Sequence, residues 1–532
     1  MAATYDAIVI GGGHNGLVAA AYLGKAGYKT LVLERRPVLG GAAVTEEFFP
    51  GYRNSIASYT LGLLRGEIIR DLDLKRHGLV PLPYTGALKL LSDGRQVMLT
   101  GEAAHDQAAI GRFSNRDYDA MVAFFKRLER LGDVVRTQWL KPPPAMAGGM
   151  DALFSSLSLA GKLRTLDEDD RHLLAKMLTS TAWDVMSRVF ESPTMRQIFA
   201  GHCASGNYAS LHAPGSALVF FLNAVGELDG KRNKWGIAKG GMGAVSEAVA
   251  AAARAHGVEL RTSAPVAKVL VERGRATGVR LESGEEIRAR VVLSNADPKR
   301  TLLGFVGKEH LEPEFAADIE NIRVGHASFR MNLALSGTPA FKELSEEEER
   351  LARGASITII PSVESLERTY QASQNGEVTD DPFINVQIAS ALDPGLAPPG
   401  HHVMSLLAKY YPYHLSGGRR WDDIKERCAD SIVDTVAKHI PNLKSLIVGR
   451  QVLSPLDLER VFGLPEGDIF HGRHDLDQIF SMRMHPKAAQ YAMPVAGLYL
   501  CGSGTHPGGG VSGAPGHNAA KRVIRDLKRR AA

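Results

Sequence analysis

The feature that most constrains the fold is a glycine-rich turn near the start of the chain, Gly11-Gly12-Gly13-His14-Asn15-Gly16. Gly11, Gly13 and Gly16 satisfy the pattern GxGxxG. They follow a short apolar run, Tyr5 to Ile10, and precede helical spacing of apolar residues from Val18 to Ala26. Strand character returns from Thr30 to Leu33. This order predicts a βαβ unit of the Rossmann type, whose helix start binds a pyrophosphate.

An acidic residue closes the second predicted strand. Glu34 follows the turn by about twenty residues, where a carboxylate accepts hydrogen bonds from the ribose hydroxyls of a dinucleotide. Within the turn, Gly11 permits the tight bend, Gly13 lets the backbone approach the pyrophosphate and Gly16 lets helix pack on strand. We therefore predict a dinucleotide site, with a purely structural turn as the alternative.

The segment after Glu34 favours FAD over NAD. It runs Arg35-Arg36-Pro37-Val38-Leu39-Gly40-Gly41-Ala42, so a glycine pair follows the acidic residue closely. Such a pair is a second place where backbone without a Cβ can approach a cofactor.

The end of the chain carries another glycine-rich turn. Leu498 to Cys501 has strand character, and Gly502-Ser503-Gly504-Thr505-His506-Pro507-Gly508-Gly509-Gly510-Val511-Ser512-Gly513 leads into a last helix. A strand, turn and helix here can direct dipoles at the ribityl and ring portions of a flavin. Gly508, Gly510 and Gly513 also match GxGxxG. Too few residues follow for a helix, a second strand and an acidic ribose partner, so we reject a second nucleotide site.

These motifs together resemble the phytoene desaturase and carotenoid isomerase branch of FAD-dependent oxidoreductases, over nearly the whole chain. The resemblance implies an FAD cofactor and a set of residues around it. Val266 is expected at the adenine side, and the last turn at the flavin. The implied cofactor residues are Gly11, Gly13, His14, Asn15, Gly16, Glu34, Arg35, Gly41, Ala42, Val266, Gly502, Ser503, Val511, Ser512 and Gly513.

The chain departs from that family at one place. Carotene desaturases commonly have an arginine directly after the glycine pair, where Ala42 and Ala43 stand here. This puts a typical carotenoid-desaturase activity in doubt. Cys203, Cys428 and Cys501 are far apart and form no CxxC pair, so we expect neither a redox dithiol nor a disulfide framework, and no metal site is predicted.

Candidate catalytic residues come from the last turn. His506 and Thr505 should face the flavin, so His506 could move a proton near the ring or hold the substrate. The alternative is a histidine that satisfies backbone groups of the turn.

Length and composition indicate a multidomain globular enzyme. With 532 residues the chain exceeds the size of one core, and an α/β fold with a discontinuous Rossmann-type FAD-binding domain at 1–105, 230–305 and 480–532 is predicted. An α+β substrate domain would comprise 106–229 and 306–479. A net charge of +5, from 63 basic and 58 acidic side chains, gives no reason to expect nucleic acid.

The charge of the last helix and the length of the longest apolar run bear on where the protein is located and whether it contacts a membrane. Basic residues gather in the last helix, where they could touch acidic lipid headgroups or simply complement the helix dipole. The longest apolar run, Ala217 to Val225, is too short to span a bilayer. We expect a cytosolic or mitochondrial-matrix-like protein with at most peripheral membrane contact.

The predicted reaction is hydride transfer at C–C or C=C bonds of a lipophilic, isoprenoid- or quinone-like substrate. Apolar helix faces at Met121 to Val135 and at Ala217 to Val225 suggest a tunnel, although core packing explains them equally well. Two alternatives stay open: a flavin-dependent amine oxidase, and a flavin-binding regulatory protein with little turnover.

Overall fold

The computed structural model describes residues 5–144 and 160–531. Two seven-stranded sheets organise these residues, and helices cover both. The strands are β1 (Tyr5–Ile10), β2 (Thr30–Leu33), β3 (Thr45–Phe49), β4 (Tyr52–Ser55), β5 (Pro81–Pro83), β6 (Ala87–Leu91), β7 (Gln96–Leu99), β8 (Glu227–Leu228), β9 (Lys231–Arg232), β10 (Gly236–Ala238), β11 (Glu259–Arg261), β12 (Val266–Glu272), β13 (Arg275–Leu281), β14 (Glu286–Ser294), β15 (Ser328–Leu335), β16 (Ser356–Ile360), β17 (Ile384–Gln387), β18 (His402–Lys409), β19 (Ile447–Leu453) and β20 (Leu498–Leu500).

Helices alternate with strands in the first sheet and cluster between residues 103 and 224. They are α1 (His14–Lys25), α2 (Gly66–Asp71), α3 (Ala103–Gly111), α4 (Asn115–Trp139), α5 (Glu168–Thr179), α6 (Ala182–Val189), α7 (Pro193–His202), α8 (Val219–Ala224), α9 (Gly243–Ala255), α10 (Pro313–Glu320), α11 (Glu346–Arg353), α12 (Val363–Gln374), α13 (Trp421–Ala437), α14 (Leu443–Leu446), α15 (Pro455–Phe462) and α16 (Ala514–Ala531). The α/β class predicted from the sequence is confirmed.

The first sheet contains the predicted βαβ unit. Strands β11, β2, β1, β14 and β20 run parallel in that spatial order, and β13 and β12 continue from β14 in antiparallel fashion. The carboxyl ends of parallel strands meet at one edge of a sheet. Both glycine-rich turns therefore begin at the same edge, because one follows β1 and the other follows β20.

Helix α1, near the start of the chain, packs against α16, the last helix. Its residues from Asn15 to Leu23 are all buried, because α1 packs between the first sheet, α9 and α16. A helix that is apolar on every side belongs in an interior. The contact with α16 is close: a Cβ added to Gly516 would lie 2.0 Å from the carbonyl oxygen of Asn15.

The second sheet has the order β19-β15-β18-β17-β16-β6-β7 and is antiparallel except for the pair β6 and β16. Strand β15 is buried at every position and β18 at nearly every one. The helical layer from α4 to α8 packs beside this sheet, with Phe124, Leu128, Phe199 and Phe220 in its core. Helix α4 begins after Ser114, whose hydroxyl accepts a hydrogen bond from the N–H of Asp117.

Two strands of the segment 1–105 belong to the second sheet. Strand β6 pairs with β16 along Ala87 to Leu91, and β7 pairs with β6. Short strands show no partner in their own sequence, so their spacing could not predict this. The predicted division into an FAD-binding domain and a substrate domain stays a prediction. Among the described helices none is long and apolar enough to cross a membrane.

Candidate functional site

A cavity opens at the carboxyl edge of the first sheet. It contains about 1110 Å³ of empty space, including its mouth, which is open to solvent. Residues from both ends of the chain surround it. The predicted cofactor residues that line it are Gly11, Gly13, His14, Asn15, Glu34, Arg35, Gly41, Ala42, Val266 and Ser503.

The first glycine-rich turn has the geometry that an anion-binding loop requires. Gly11 has φ +93°, and a Cβ added to Gly16 would lie 2.2 Å from the carbonyl oxygen of Gly11. Gly13 caps α1 without any side-chain hydrogen bond, which leaves the N–H groups of the first helical turn to be satisfied by a ligand.

The glycine pair packs directly on this turn. The N–H of Gly40 donates to the carbonyl oxygen of Gly12 at 2.8 Å, and a Cβ on Gly41 would come within 3.2 Å of Cα of Gly13. The two backbones thus form one surface without side chains between them.

The carboxylate of Glu34 is buried at the end of β2 and its position is fixed by backbone groups. One oxygen accepts a hydrogen bond from the N–H of Gly12 at 2.7 Å, and the other accepts from the N–H of Arg36 at 2.9 Å. Each carboxylate oxygen can accept a second bond, so Glu34 keeps capacity for ribose hydroxyls. Beside it, Arg35 donates to the carbonyl oxygen of Val461 at 2.7 Å.

The last glycine-rich turn is bonded to the first. The side-chain N–H of Asn15 donates to the hydroxyl of Ser503 at 3.3 Å, and the ring of His14 hydrogen-bonds to the backbone of Gly510. Burial lowers the pKa of His14 to about 4, so this ring is neutral near pH 7.

Several buried polar atoms around the cavity have no partner within the described protein. They are Nε2 of His14, Oδ1 of Asn15, Nη1 of Arg36 and Nδ1 of His471. Buried polar groups are nearly always hydrogen-bonded, so these atoms indicate a polar ligand. With the uncapped helix start and the side-chain-free backbone, the residues present fit a flavin dinucleotide.

Five predicted cofactor residues do not line this cavity. Gly16 and Gly502 lie behind it, where a Cβ on Gly502 would be 2.5 Å from the carbonyl oxygen of Asn295. The carbonyl oxygen of Ser512 accepts a hydrogen bond from the N–H of Arg65, and Val511 and Gly513 lie on either side of it in sequence. A contact of these residues with the flavin stays a prediction.

Sequence reasoning missed several lining residues, namely Asn295, Ala296, Arg300, Phe462, Gly463 and His471. Asn295 had a signal, since it directly follows β14, the parallel neighbour of β1. Phe462, the last residue of α15, had none, and neither had Gly463 and His471, which come from the irregular loop after that helix.

A second cavity lies beside the last glycine-rich turn. It lies between α4, α8 and the loop before residue 480, and contains about 660 Å³ of empty space, including space that is open to solvent. Its walls are mostly apolar: the lining residues are Val135, Gln138, Trp139, Asn207, Leu218, Val219, Phe221, His474, Ile479, Phe480, His506 and Pro507. No aspartate or glutamate lines it among the residues that the structure describes.

The two catalytic candidates differ in their surroundings. The hydroxyl of Thr505 donates to the carbonyl oxygen of Gly502 at 2.9 Å, and Thr505 lines neither cavity, so it stabilises the turn. His506 lines the second cavity, and burial lowers its pKa to about 4. A neutral ring with so low a pKa is a hydrogen-bond acceptor at pH 7 and a weak proton acceptor.

A buried cation holds the last turn in place. Arg483 donates through Nε and Nη2 to the carbonyl oxygen of Ser503, and Nη2 also bonds the carbonyl oxygen of Phe470 at 2.7 Å. Burial lowers the pKa of Arg483 to about 10, which still leaves it charged at pH 7.

The cysteines are buried as free thiols. Burial raises the pKa of Cys428 to about 11 and raises the pKa of Cys203 and of Cys501 well above the usual value. Thiols of this kind are unreactive at neutral pH. Among the described residues no group of three His, Cys, Asp or Glu side chains could hold a metal ion.

Comparison with known proteins agrees with this site. The model of the family described as flavin containing amine oxidoreductase matches residues 16–524. The chain is 40% identical to pyridine nucleotide-disulfide oxidoreductase domain-containing protein 2 of Rattus norvegicus, over 98% of this chain and 94% of that protein. It is 25% identical to phytoene desaturase (lycopene-forming) of Pseudescherichia vulneris, over 98% and 99%.

A solved structure of putrescine oxidase bound to putrescine shares the fold, with a TM-score of 0.61, 15% identity and 99% of each chain covered. The predicted FAD cofactor and oxidoreductase class are confirmed by the family match. This chain therefore belongs to the flavin-containing amine oxidoreductase family and is an FAD-dependent oxidoreductase.

Proposed function

We propose that the protein transfers hydride between FAD and a C–C or C=C bond of a lipophilic, isoprenoid- or quinone-like substrate. The second cavity is the observation that carries this proposal. Its walls are mostly apolar, it has no carboxylate among the described lining residues, and it reaches the glycine-rich turn through His506 and Pro507. Apolar cavities with few polar groups bind ligands mainly by removing apolar surface from water.

The cavity lies between the two helix faces that the sequence singled out. Val135 comes from the face Met121 to Val135, and Val219 and Phe221 come from the run Ala217 to Val225. Part of each face does pack in the core, as Phe124 and Phe220 do. Val219 and Phe221 belong to the same core cluster and Val135 packs against it, so these residues both pack in the core and line the cavity.

FAD supplies the two-electron chemistry when it is bound. The chain's own residues would hold the cofactor and orient the substrate. The first turn and Glu34 would bind the dinucleotide, and the apolar walls of the second cavity would position the substrate and exclude water. His506 would accept a hydrogen bond there without carrying the positive charge of a protonated ring.

The test is to reduce the bound FAD anaerobically and follow its reoxidation at the flavin absorbance band. Quinones and polyenes form one arm, and polar acceptors such as ferricyanide form the other. We expect faster reoxidation by the lipophilic arm at equal concentration. Selective reoxidation by polar acceptors would contradict the proposal.

Amine oxidation is the second candidate, because Trp139, Phe221 and Phe480 give the second cavity an aromatic wall. A protonated amine would find no carboxylate among the described lining residues. It would also face the charge of Arg483, which lowers the pKa of His506 further after the larger effect of burial. We therefore expect no hydrogen peroxide release with primary or secondary amines. Sustained release would favour this candidate.

We also propose that the protein works in a reducing compartment, cytosolic or matrix-like. A second proposal is that the basic residues of α16 make at most peripheral contact with a membrane. The exposed side chains of Lys521, Arg525, Lys528 and Arg529 support that contact. Cosedimentation with anionic vesicles tests it: any binding at low salt should be reversed by high salt, and binding that survives high salt would contradict the proposal.

A further inference from the structure

Two histidines in the second cavity carry a ring nitrogen without a partner. His474 and His506 are both more than nine-tenths buried, and Nδ1 of each has no hydrogen-bond partner within the described protein. Both rings line the cavity. Since a buried polar atom is rarely left unpaired, we expect a ligand of this cavity to bring a polar group to these nitrogens as well as an apolar body to its walls.

The hydrogen-bond role of His506 follows from its other nitrogen. Nε2 lies 3.3 Å from the carbonyl oxygen of Gln138, and a carbonyl oxygen can only accept. Nε2 therefore carries the hydrogen. Burial keeps the ring neutral near pH 7, and the charge of Arg483 acts in the same direction, so Nδ1 holds a bare lone pair.

His474 is held against the same turn. A Cβ added to Gly508 would lie 2.5 Å from Nε2 of His474, so only glycine allows the ring this close. Its ring also contacts Phe470, at 4.6 Å between centroids. The two unpaired nitrogens thus lie on rigid supports beside the last glycine-rich turn.

The charge of the ligand is restricted by the surrounding groups. An anionic oxygen has no hydrogen to donate to Nδ1, and Nε, Nη1 and Nη2 of the nearby Arg483 already donate to backbone carbonyl oxygens. A cation would find no aspartate or glutamate on the described cavity wall. The partner that fits a neutral acceptor in an apolar space is an uncharged O–H donor.

We infer that the second cavity binds an apolar molecule that carries one hydroxyl group, an alcohol or phenol, whose O–H donates to Nδ1 of His506. This inference rests on the proposed lipophilic substrate and adds a polar end to it. The apolar body lies along Val135, Leu218 and Phe221, and the hydroxyl end lies at the histidines.

A matched pair of ligands tests the inference on the FAD-loaded protein. The probes are 4-hexylphenol and its methyl ether, which differ in the O–H donor, and titration calorimetry at pH 7 measures their affinities. We expect the phenol to bind at least about tenfold more tightly, because the ether leaves the buried nitrogen unpaired. Equal affinities, or no binding of either probe, would overturn the inference.

Two variants test whether the preference for the phenol over its methyl ether depends on the side chain of His506. His506→Leu should bring the phenol to the affinity of the ether, while His212→Leu, at an exposed histidine outside the cavity, should keep the difference. A preference that survives His506→Leu would overturn the assignment. If His506→Leu releases FAD, ¹⁵N NMR spectra of histidine-labelled, unaltered holoprotein replace this test. The phenol should change the chemical shift of a histidine ring nitrogen, and the ether should not. Identical spectra with the two probes would overturn the inference.

Failure of this inference can be told from failure of the proposed function. Reoxidation of reduced FAD by polyenes requires no hydroxyl group. Fast reoxidation together with equal phenol and ether affinities contradicts the hydroxyl site alone.

Discussion

Asn295 and Gly13 meet across the carboxyl edge of the first sheet. A Cβ built on Gly13 would lie 2.6 Å from Nδ2 of Asn295, a distance that real Cβ atoms essentially never show, so the end of the Asn295 side chain would have to move. The end of β14 therefore closes the back of the glycine-rich turn, and Gly13 is confined between that amide and the cavity.

Replacement of Gly13 should abolish FAD binding. In Gly13→Ala the new methyl group must displace either the amide of Asn295 or the bound pyrophosphate, so we expect FAD content after purification to fall at least about tenfold. Absorbance of heat-released flavin measures it. Gly304→Ala is the matched control, since nothing lies within 4 Å of that Cβ. Full FAD content in Gly13→Ala would contradict this account of the turn.

The negative charge of Glu34 should contribute to the affinity for FAD. In Glu34→Gln one oxygen becomes an NH₂ group that faces a backbone donor, either Gly12 or Arg36. We expect FAD affinity to fall by about ten- to a hundredfold, since a hydrogen bond to a charged group is worth about 1.5–3 kcal/mol. Fluorescence titration of apoprotein with FAD checks it. The exposed Glu47→Gln should bind normally, and equal affinities in the two variants would rule out the proposed ribose contact.

The cysteines should prove dispensable for chemistry. Replacement of Cys203, Cys428 and Cys501 by alanine should leave FAD content and turnover unchanged, because all three are buried and free. Each change should lower the free energy of unfolding by about 1 kcal/mol through lost packing. Turnover and thermal unfolding measure the two effects separately. Loss of turnover in a folded Cys501→Ala variant would reveal a thiol role near the flavin.

Stability should depend on pH through His506. Burial lowers its pKa from 6.5 to about 4, so between these values the unfolded chain binds more protons than the folded one. The neutral ring favours the fold above pH 6.5, and this advantage is lost as the pH falls toward 4. Other buried histidines add to the effect.

His506→Gln isolates that contribution. Between pH 7 and pH 4.5 the unaltered protein should lose about 2 kcal/mol more unfolding free energy than the variant. Urea unfolding at both pH values gives the difference. Parallel losses in the two proteins would show that His506 does not titrate in this range.

The sequence predicted the flavin half of the site because its signals are local. Gly11 to Gly16 and Glu34 combine fixed residue types with a strand and a helix on either side. Asn295 was missed because one polar residue after a strand is no motif until β14 is known to lie beside β1. His471 comes from a loop without periodicity, so only the folded chain brings it to the cavity.

The second sheet was harder to predict for a related reason. Strands β15 and β18 are buried on both faces, and Arg330, Asn332 and Lys409 are buried within them. Such strands lack the alternation of apolar and polar residues that identifies a half-buried strand. Arg330 is satisfied by the carbonyl oxygens of Ser55, Ala57 and Leu406, contacts that are distant in sequence.

We propose that a lipophilic substrate reaches the flavin through the second cavity. The most direct measurement compares reoxidation of reduced FAD by a quinone and by ferricyanide in Val135→Trp and Val122→Trp. Val135 lines the cavity, whereas Val122 is 47% exposed on the same helix. The indole side chain introduced in Val135→Trp should fill the cavity and displace the quinone from its apolar walls. We therefore expect reoxidation by the quinone to be at least about tenfold slower in Val135→Trp alone, and reoxidation by ferricyanide to be unchanged. Equal quinone rates in the two variants, or equal slowing of both acceptors in Val135→Trp, would contradict the claim.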